Sequence, residues 1–138
     1  MIVFCNGVFK SGSTWLHAIV QEIFHIKKIK LEEIPQRFWL HKDSPTKIVE
    51  SQLLSFIESY EDDIKDKFFL TKSHFFQKET HERKYPKDVI FLFITRDTKD
   101  AIVSHYHHFN NSNKIKVTFN FYYWTIGRLK AYEIILFQ

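Results

Sequence analysis

Apolar residues follow two rhythms along this chain. Short unbroken runs, such as "MIVFC" at residues 1–5 and "VIFLFI" at 89–94, alternate with stretches where apolar positions recur every three or four residues. The runs have the length and the β-branched or aromatic content of buried strands, and the spaced stretches have the period of helices. After "MIVFC" and a glycine turn, Leu16, Ile19, Val20, Ile23 and Phe24 fall at helical spacing between Ser13 and Ile26. This predicts strand, loop, helix. A loop is expected around Pro35 and Pro45, then a helix over about 47–60 with Leu53, Leu54, Ile57 and Tyr60 on one face. "KFFLTKSHFF" reads as a second strand that breaks into polar chemistry. "DVIFLFITRD" reads as a third, apolar enough to be buried on both sides in a parallel sheet. "TKDAIVSHYHHF" returns to helical spacing, and the aromatic-rich segment over about 118–132 is expected to be helical. "EIILFQ" looks like the start of another strand.

Strands alternating with helices, without repeats or low-complexity tracts, predict an α/β protein in three αβα layers around a central parallel sheet. With 138 residues, 44% hydrophobic and 17% aromatic, the chain supplies one core, hence a single domain. Cys5 is the only cysteine, so neither a disulfide framework nor a cysteine zinc site can form within the chain; its apolar setting predicts a buried thiol. The apolar start is too short for a signal peptide and has no basic leader, and no apolar run approaches about 18 residues. A soluble, cytoplasmic protein is expected, with neither a membrane nor a nucleic acid as partner. A net charge of +4 gives a mildly favourable field for an anionic ligand.

In parallel α/β sheets, ligands gather at the carboxyl ends of the strands, and three such ends carry polar residues here. The first, "GVFKSGSTWL", nearly spells a phosphate loop. Gly7 and Gly12 have the spacing of the glycines in G-x-x-x-x-G-K-[ST], but Ser13 replaces the lysine and Lys10 lies inside the loop. The small residues Ser11, Gly12, Ser13 and Thr14 let backbone N–H groups close around an oxyanion at the positive end of the following helix. Lys10 adds a full charge. The second end, Thr71 to His74, puts the Lys72 cation and the His74 imidazole two residues apart, on one side of an extended strand. The third holds Thr95, Arg96 and Asp97, with Ser104 one to two turns into the next helix; an arginine there suits bidentate phosphate binding.

In this order the residues resemble the sulfotransferase family that uses 3′-phosphoadenosine 5′-phosphosulfate (PAPS). "FKSGSTWL" looks like the family's 5′-phosphosulfate loop, P-K-S-G-T-T-W, with Phe9 for proline and Ser13 for the first threonine. "LTKSHF" is similar to its K-[ST]-H strand end. "FITRDTKDAIVSHYHHF" is similar to its 3′-phosphate block, where an arginine precedes a serine by eight positions, as Arg96 precedes Ser104. The resemblance implies a P-loop NTPase-like sulfotransferase fold and transfer of a sulfuryl group from PAPS to a hydroxyl or amine, leaving the product PAP, without a metal. The acceptor would be a small molecule or a carbohydrate. His74 would be the general base, and Lys10 and Lys72 would stabilise the transferring group. Lys10, Ser11, Gly12, Ser13 and Thr14 would hold the phosphosulfate, Trp15 would stack on adenine, and Arg96 and Ser104 would bind the 3′-phosphate.

The resemblance is clear over residues 2–109 and looser beyond. A glycine-rich R-K-G-x-x-G-like segment that closes over the nucleotide in the family has no match before Gln138, so the chain reads as an N-terminal portion or a shortened member. Two other readings compete. A P-loop kinase or nucleotide hydrolase would want lysine at position 13 and a metal-binding aspartate at a later strand end, where Asp97 is the obvious candidate. A non-catalytic nucleotide-binding remnant of the same fold also suits the length. Trp15 has the alternative of a core aromatic. His105, His107 and His108 invite a metal reading, but adjacent helical residues do not share a face and only His105 and His108 have suitable spacing. "FNFYYW" is expected mainly in the core, with some of it lining an acceptor pocket. The loops over 32–66 and 110–117 carry no pattern that identifies the acceptor.

Overall fold

The computed structural model describes residues 1–8, 10–41, 45–63, 66–75, 77–114 and 116–137. Strand β1 (Ile2–Gly7) leads into helix α1 (Ser13–Ile26). Two 3₁₀ turns follow, Gln36–Phe38 and Glu50–Gln52, and the second runs directly into α2 (Leu53–Asp63). Then come β2 (Phe69–Ser73), the short α3 (Lys78–Glu82), β3 (Val89–Ile94) and α4 (Thr98–Ser112). A last helical path runs through α5 (Phe119–Tyr122), a π-helical segment (Tyr123–Gly127) and α6 (Arg128–Phe137).

The strands form a parallel sheet in the order β2-β1-β3, flanked by helices in the α/β manner expected. All six residues of β1 are buried, because both of its faces and both of its edges are covered. Alternation of side chains along the strand divides the core in two. Ile2 and Phe4, with Phe69 and Val89 beside them in the sheet, pack on Leu53, Phe56, Ile57 and Tyr60 of α2. Val3 and Cys5, with Leu70, pack on Val20 and Phe24 of α1. A third cluster sits beyond the strand end, where Val8 meets Ala101 and Ile102 of α4 together with Tyr122 and Ile134. Burial alone pushes the Cys5 thiol up to about 11, so it is a neutral core group. Among the described residues, no helix is long and apolar enough to cross a membrane.

Five local expectations are corrected. β3 lies at an edge of the sheet rather than buried on both sides, and Phe93 is 51% exposed. The second helix begins later than residue 47: Lys47 and Ile48 are extended and make isolated bridges to Lys72 and Trp39. Its buried face includes Phe56, whereas Leu54 is only half-buried. Residues 133–137 of "EIILFQ" are helical; Gln138 lies outside the described residues. A short apolar run fits a buried helix segment as well as a strand, and here Ile134 packs three residues on from Ala131, against Tyr122. In "FNFYYW" only Tyr122 is buried, while Phe121 and Trp124 are exposed.

One buried polar side chain ties the two strands nearest the cleft. Asn6 Oδ1 accepts from the Phe75 amide at 2.9 Å and from Ser73 Oγ at 3.1 Å, fixing the chain on both sides of His74 to β1. Asn6→Ala strands the Phe75 amide, and an unpaired buried donor costs about 1–3 kcal/mol. Urea unfolding of this variant should show a loss of at least that size with an unchanged m-value.

Candidate active site

The register brings the three polar strand ends to one level. Asn6 pairs with Ser73 and Gly7 with Ile94, so the loop after β1, His74 after β2 and Arg96 after β3 all leave the same carboxyl edge of the sheet. The first loop is tightly folded. A Cβ on Gly7 would lie 2.5 Å from Ser11 Oγ and 2.8 Å from the Ile94 carbonyl oxygen, so only glycine fits there. Lys10 (φ 63°) and Gly12 (φ 111°) take left-handed backbone conformations, which for a lysine is a local strain. Ser11 is buried, and both its amide and its hydroxyl donate to the Val8 carbonyl, at 3.1 and 2.6 Å. Its side chain therefore closes the loop instead of facing the cleft.

Helix α1 begins at this loop with an open N-terminus. Its first intrahelical bond is from the Leu16 amide to the Gly12 carbonyl; the preceding amides meet no capping side chain, and the first turn carries no acidic residue. Such an end carries a partial positive charge with unsatisfied donors, suited to an anion. Phe9 lies outside the described residues.

Around this helix end lies a cleft of about 940 Å³. Lys10, Gly12, Ser13, Thr14 and Trp15 line it from the first motif, His74 from the second, and Arg96 and Ser104 from the third. Trp15 is 68% exposed, which rules out the core alternative. Arg96 Nη1 donates to the Lys10 carbonyl at 3.3 Å, a direct link between motifs 86 positions apart. Four cations line the cleft, Lys10, Lys47, Arg96 and Lys130, against the Glu133 carboxylate, itself paired with Lys130 at 2.8 Å. The cleft suits an anion by charge as well as by shape.

Lys72 lies elsewhere. With His74 it lines a smaller neighbouring cavity of about 190 Å³, and His74 borders both. His74 Nδ1 lies 2.5 Å from the Gly7 carbonyl oxygen. That oxygen can only accept, so Nδ1 carries the proton and Nε2 keeps its lone pair. Burial lowers the imidazole pKa below its ordinary value, and the Lys47 and Lys72 charges lower it further against the opposing pull of the Gly7 carbonyl. The ring is neutral at pH 7, with a fixed tautomer. This group can take a proton from a molecule in either cavity.

Asp97 is already engaged: it caps α4, accepting from the Lys99 amide at 2.9 Å and the Asp100 amide at 3.3 Å. His105 lines the cleft and its Nδ1 contacts the Tyr122 hydroxyl, while no group of three or more His, Cys, Asp or Glu is arranged to hold a metal among the described residues. Sequence reasoning did not single out Lys47 or Lys130 as cleft residues. Lys47 arrives through an isolated bridge that no periodicity announces, and Lys130 through a helix whose end reads as a strand. Only the i, i+3 spacing of Lys130 and Glu133 hinted at a shared helical face.

Comparison with known proteins bears on the family and the fold. The sulfotransferase domain family matches residues 2–131, spanning the three described strands, helices α1 and α4, and the first turn of α6. No curated protein and no solved structure matches the chain. With nearly its whole length matched and the motif residues gathered at one helix end, the chain belongs to the sulfotransferase domain family.

Proposed function

We propose that the chain moves a sulfuryl group from PAPS to a hydroxyl or amine of a small-molecule or carbohydrate acceptor, with His74 as general base. One observation carries this reading: Lys10, His74, Arg96 and Ser104, from four separate elements or loops, line a single cationic cleft at the open end of α1. The donor is a nucleotide with two separated anionic ends. The loop amides and Lys10 suit its phosphosulfate, and Arg96 with Ser104 suits its 3′-phosphate. The exposed ring of Trp15 is available to stack on adenine.

In the transfer, the acceptor oxygen attacks sulfur in line as the bond from sulfur to the phosphate oxygen breaks, leaving PAP. The acceptor proton goes to His74 Nε2. Lys10 meets the negative charge that grows on the departing oxygen, and Lys72, across His74, meets the moving sulfonate from the acceptor side. Positioning and charge stabilisation do the rest, as in phosphoryl transfer, and the reading requires no metal. The placement of Asp97 counts against the nucleotide hydrolase alternative, because it caps α4 through Oδ1 and is not among the residues that line the cleft.

Arg96→Ala should weaken PAP by about 1.5 to 3 kcal/mol, the size of one charge-assisted hydrogen bond. Adenosine 5′-phosphate should lose far less, as calorimetry with both nucleotides would register; equal losses would remove the 3′-phosphate assignment.

Lys10→Met should slow transfer at saturating PAPS more than it weakens PAP, because its charge is needed on the departing oxygen. An unchanged single-turnover rate speaks against that role.

His74→Ala should cost about 10² to 10⁴ in the rate on an alcohol while PAP affinity stays within a few-fold of wild type. The sign of the pH dependence follows from the lowered pKa: the ring is protonated and inactive only below it. The wild-type rate should therefore rise with pH through a midpoint below about 6.5 and flatten above it. A midpoint above 7 would contradict the assignment, as would wild-type turnover in His74→Ala. Binding of PAP without transfer to any alcohol, phenol, amine or sugar would favour the non-catalytic remnant.

A further inference from the structure

The cavity beside His74 is small, about 190 Å³, well below the roughly 300–1,000 Å³ typical of pockets that enclose a drug-sized ligand. It suits the reacting end of an acceptor, while the 940 Å³ cleft suits a nucleotide. Leu40, Ile48 and Phe75 give it apolar walls, and Lys47 and Lys72 give it charge. Lys47 is the feature that the sulfuryl-transfer reading leaves unused. Like His74, it borders both cavities.

Its position is held by the backbone. The Lys72 amide donates to the Thr46 carbonyl at 2.7 Å and Thr71 Oγ donates to the same oxygen at 2.9 Å, so Lys47 pairs with Lys72 in a parallel bridge. Two lysines are thereby placed side by side at one wall, and like charges in that relation destabilise the fold. The cost is visible in Lys72, whose pKa is lowered by burial and further by the Lys47 charge. Among the described residues, neither ammonium takes part in an ion pair. The pocket's carboxylate, Glu50, uses Oε1 to accept from the Gln77 amide at 2.9 Å. An incoming anion would offset the repulsion that the fold itself maintains.

We propose that the acceptor carries its own anionic oxygen group near the nucleophilic hydroxyl, and that Lys47, with Lys72, recognises that group in the pocket beside His74. The inference rests on the sulfuryl-transfer reading for the word acceptor, but the anion site can be tested without turnover. Calorimetric titration with 4-hydroxybenzoate and with uncharged 4-hydroxybenzyl alcohol, each with and without PAP, compares ligands that differ mainly in charge. 4-Hydroxybenzenesulfonate tells a general anion site from one shaped for carboxylate. The benzoate should bind about tenfold more tightly than the alcohol. Lys47→Gln should remove most of that preference, Lys47→Arg should keep it, and PAP affinity should fall less than benzoate affinity in Lys47→Gln. Equal affinity for benzoate and alcohol, binding of neither, or an equal loss for both in Lys47→Gln would overturn the proposal. A charge preference that depends on Lys47 in a protein that does not bind PAP would support the anion site and refute only the donor reading.

Discussion

The parallel pairing of β1 with β2 on one side and β3 on the other is the constraint on which the rest depends. Hydrogen bonding in register sets Asn6 against Ser73 and Gly7 against Ile94, and a parallel sheet ends all its strands in the same direction. Three polar segments, separated by some 60 residues between the first and second and by 20 or more between the second and third, therefore emerge at one edge. A slip of one residue in either pair would turn the inward and outward faces of that strand over and disperse the segments. The two core clusters oppose such a slip, since Phe69, Ile2 and Val89 form one row facing α2 and Leu70 with Val3 faces α1.

The site then grows from backbone chemistry as much as from side chains. The Gly7 carbonyl sets the tautomer of His74, the Lys10 carbonyl receives Arg96, and the Thr46 carbonyl holds the strand that carries Lys72. Each of these contacts links a group proposed to act on the substrates to a different segment of chain, so its placement follows from the fold rather than from a local turn. The charges have the opposite character: Lys10, Lys47, Lys72 and Arg96 are crowded into a region with few carboxylates, an arrangement that a polyanionic ligand would relieve.

Part of this was legible in residue order. The strand, glycine loop and helix at the start needed only a run of apolar residues and the i, i+3, i+4 spacing that follows, and α1 spans Ser13–Ile26 as that spacing implies. The loop, K-S-H and arginine-serine motifs also stood out, because small residues, cations and an imidazole directly after apolar strands are local patterns. The edge position of β3 was not legible. Its residues are as apolar as those of β1, and only the strand order shows that one side of it lacks a neighbour among the described residues. The helical state of residues 133–137 was hidden for a related reason, since a short apolar run has no period of its own and took its conformation from packing against Tyr122 and α4.

The sequence by itself determined the α/β class, the glycine loop with its displaced lysine, and the identity of the chemical groups, because these depend on residue type and on spacing within one segment. Only the tertiary structure decided which groups meet. It divided Lys72 from the main cleft while leaving His74 on the border of both cavities, turned Ser11 inward to close the loop, and drew Lys47 to the site through a bridge to Lys72. These outcomes come from long-range backbone pairing and from the competition of side chains for one interior, and neither leaves a periodic trace along the chain.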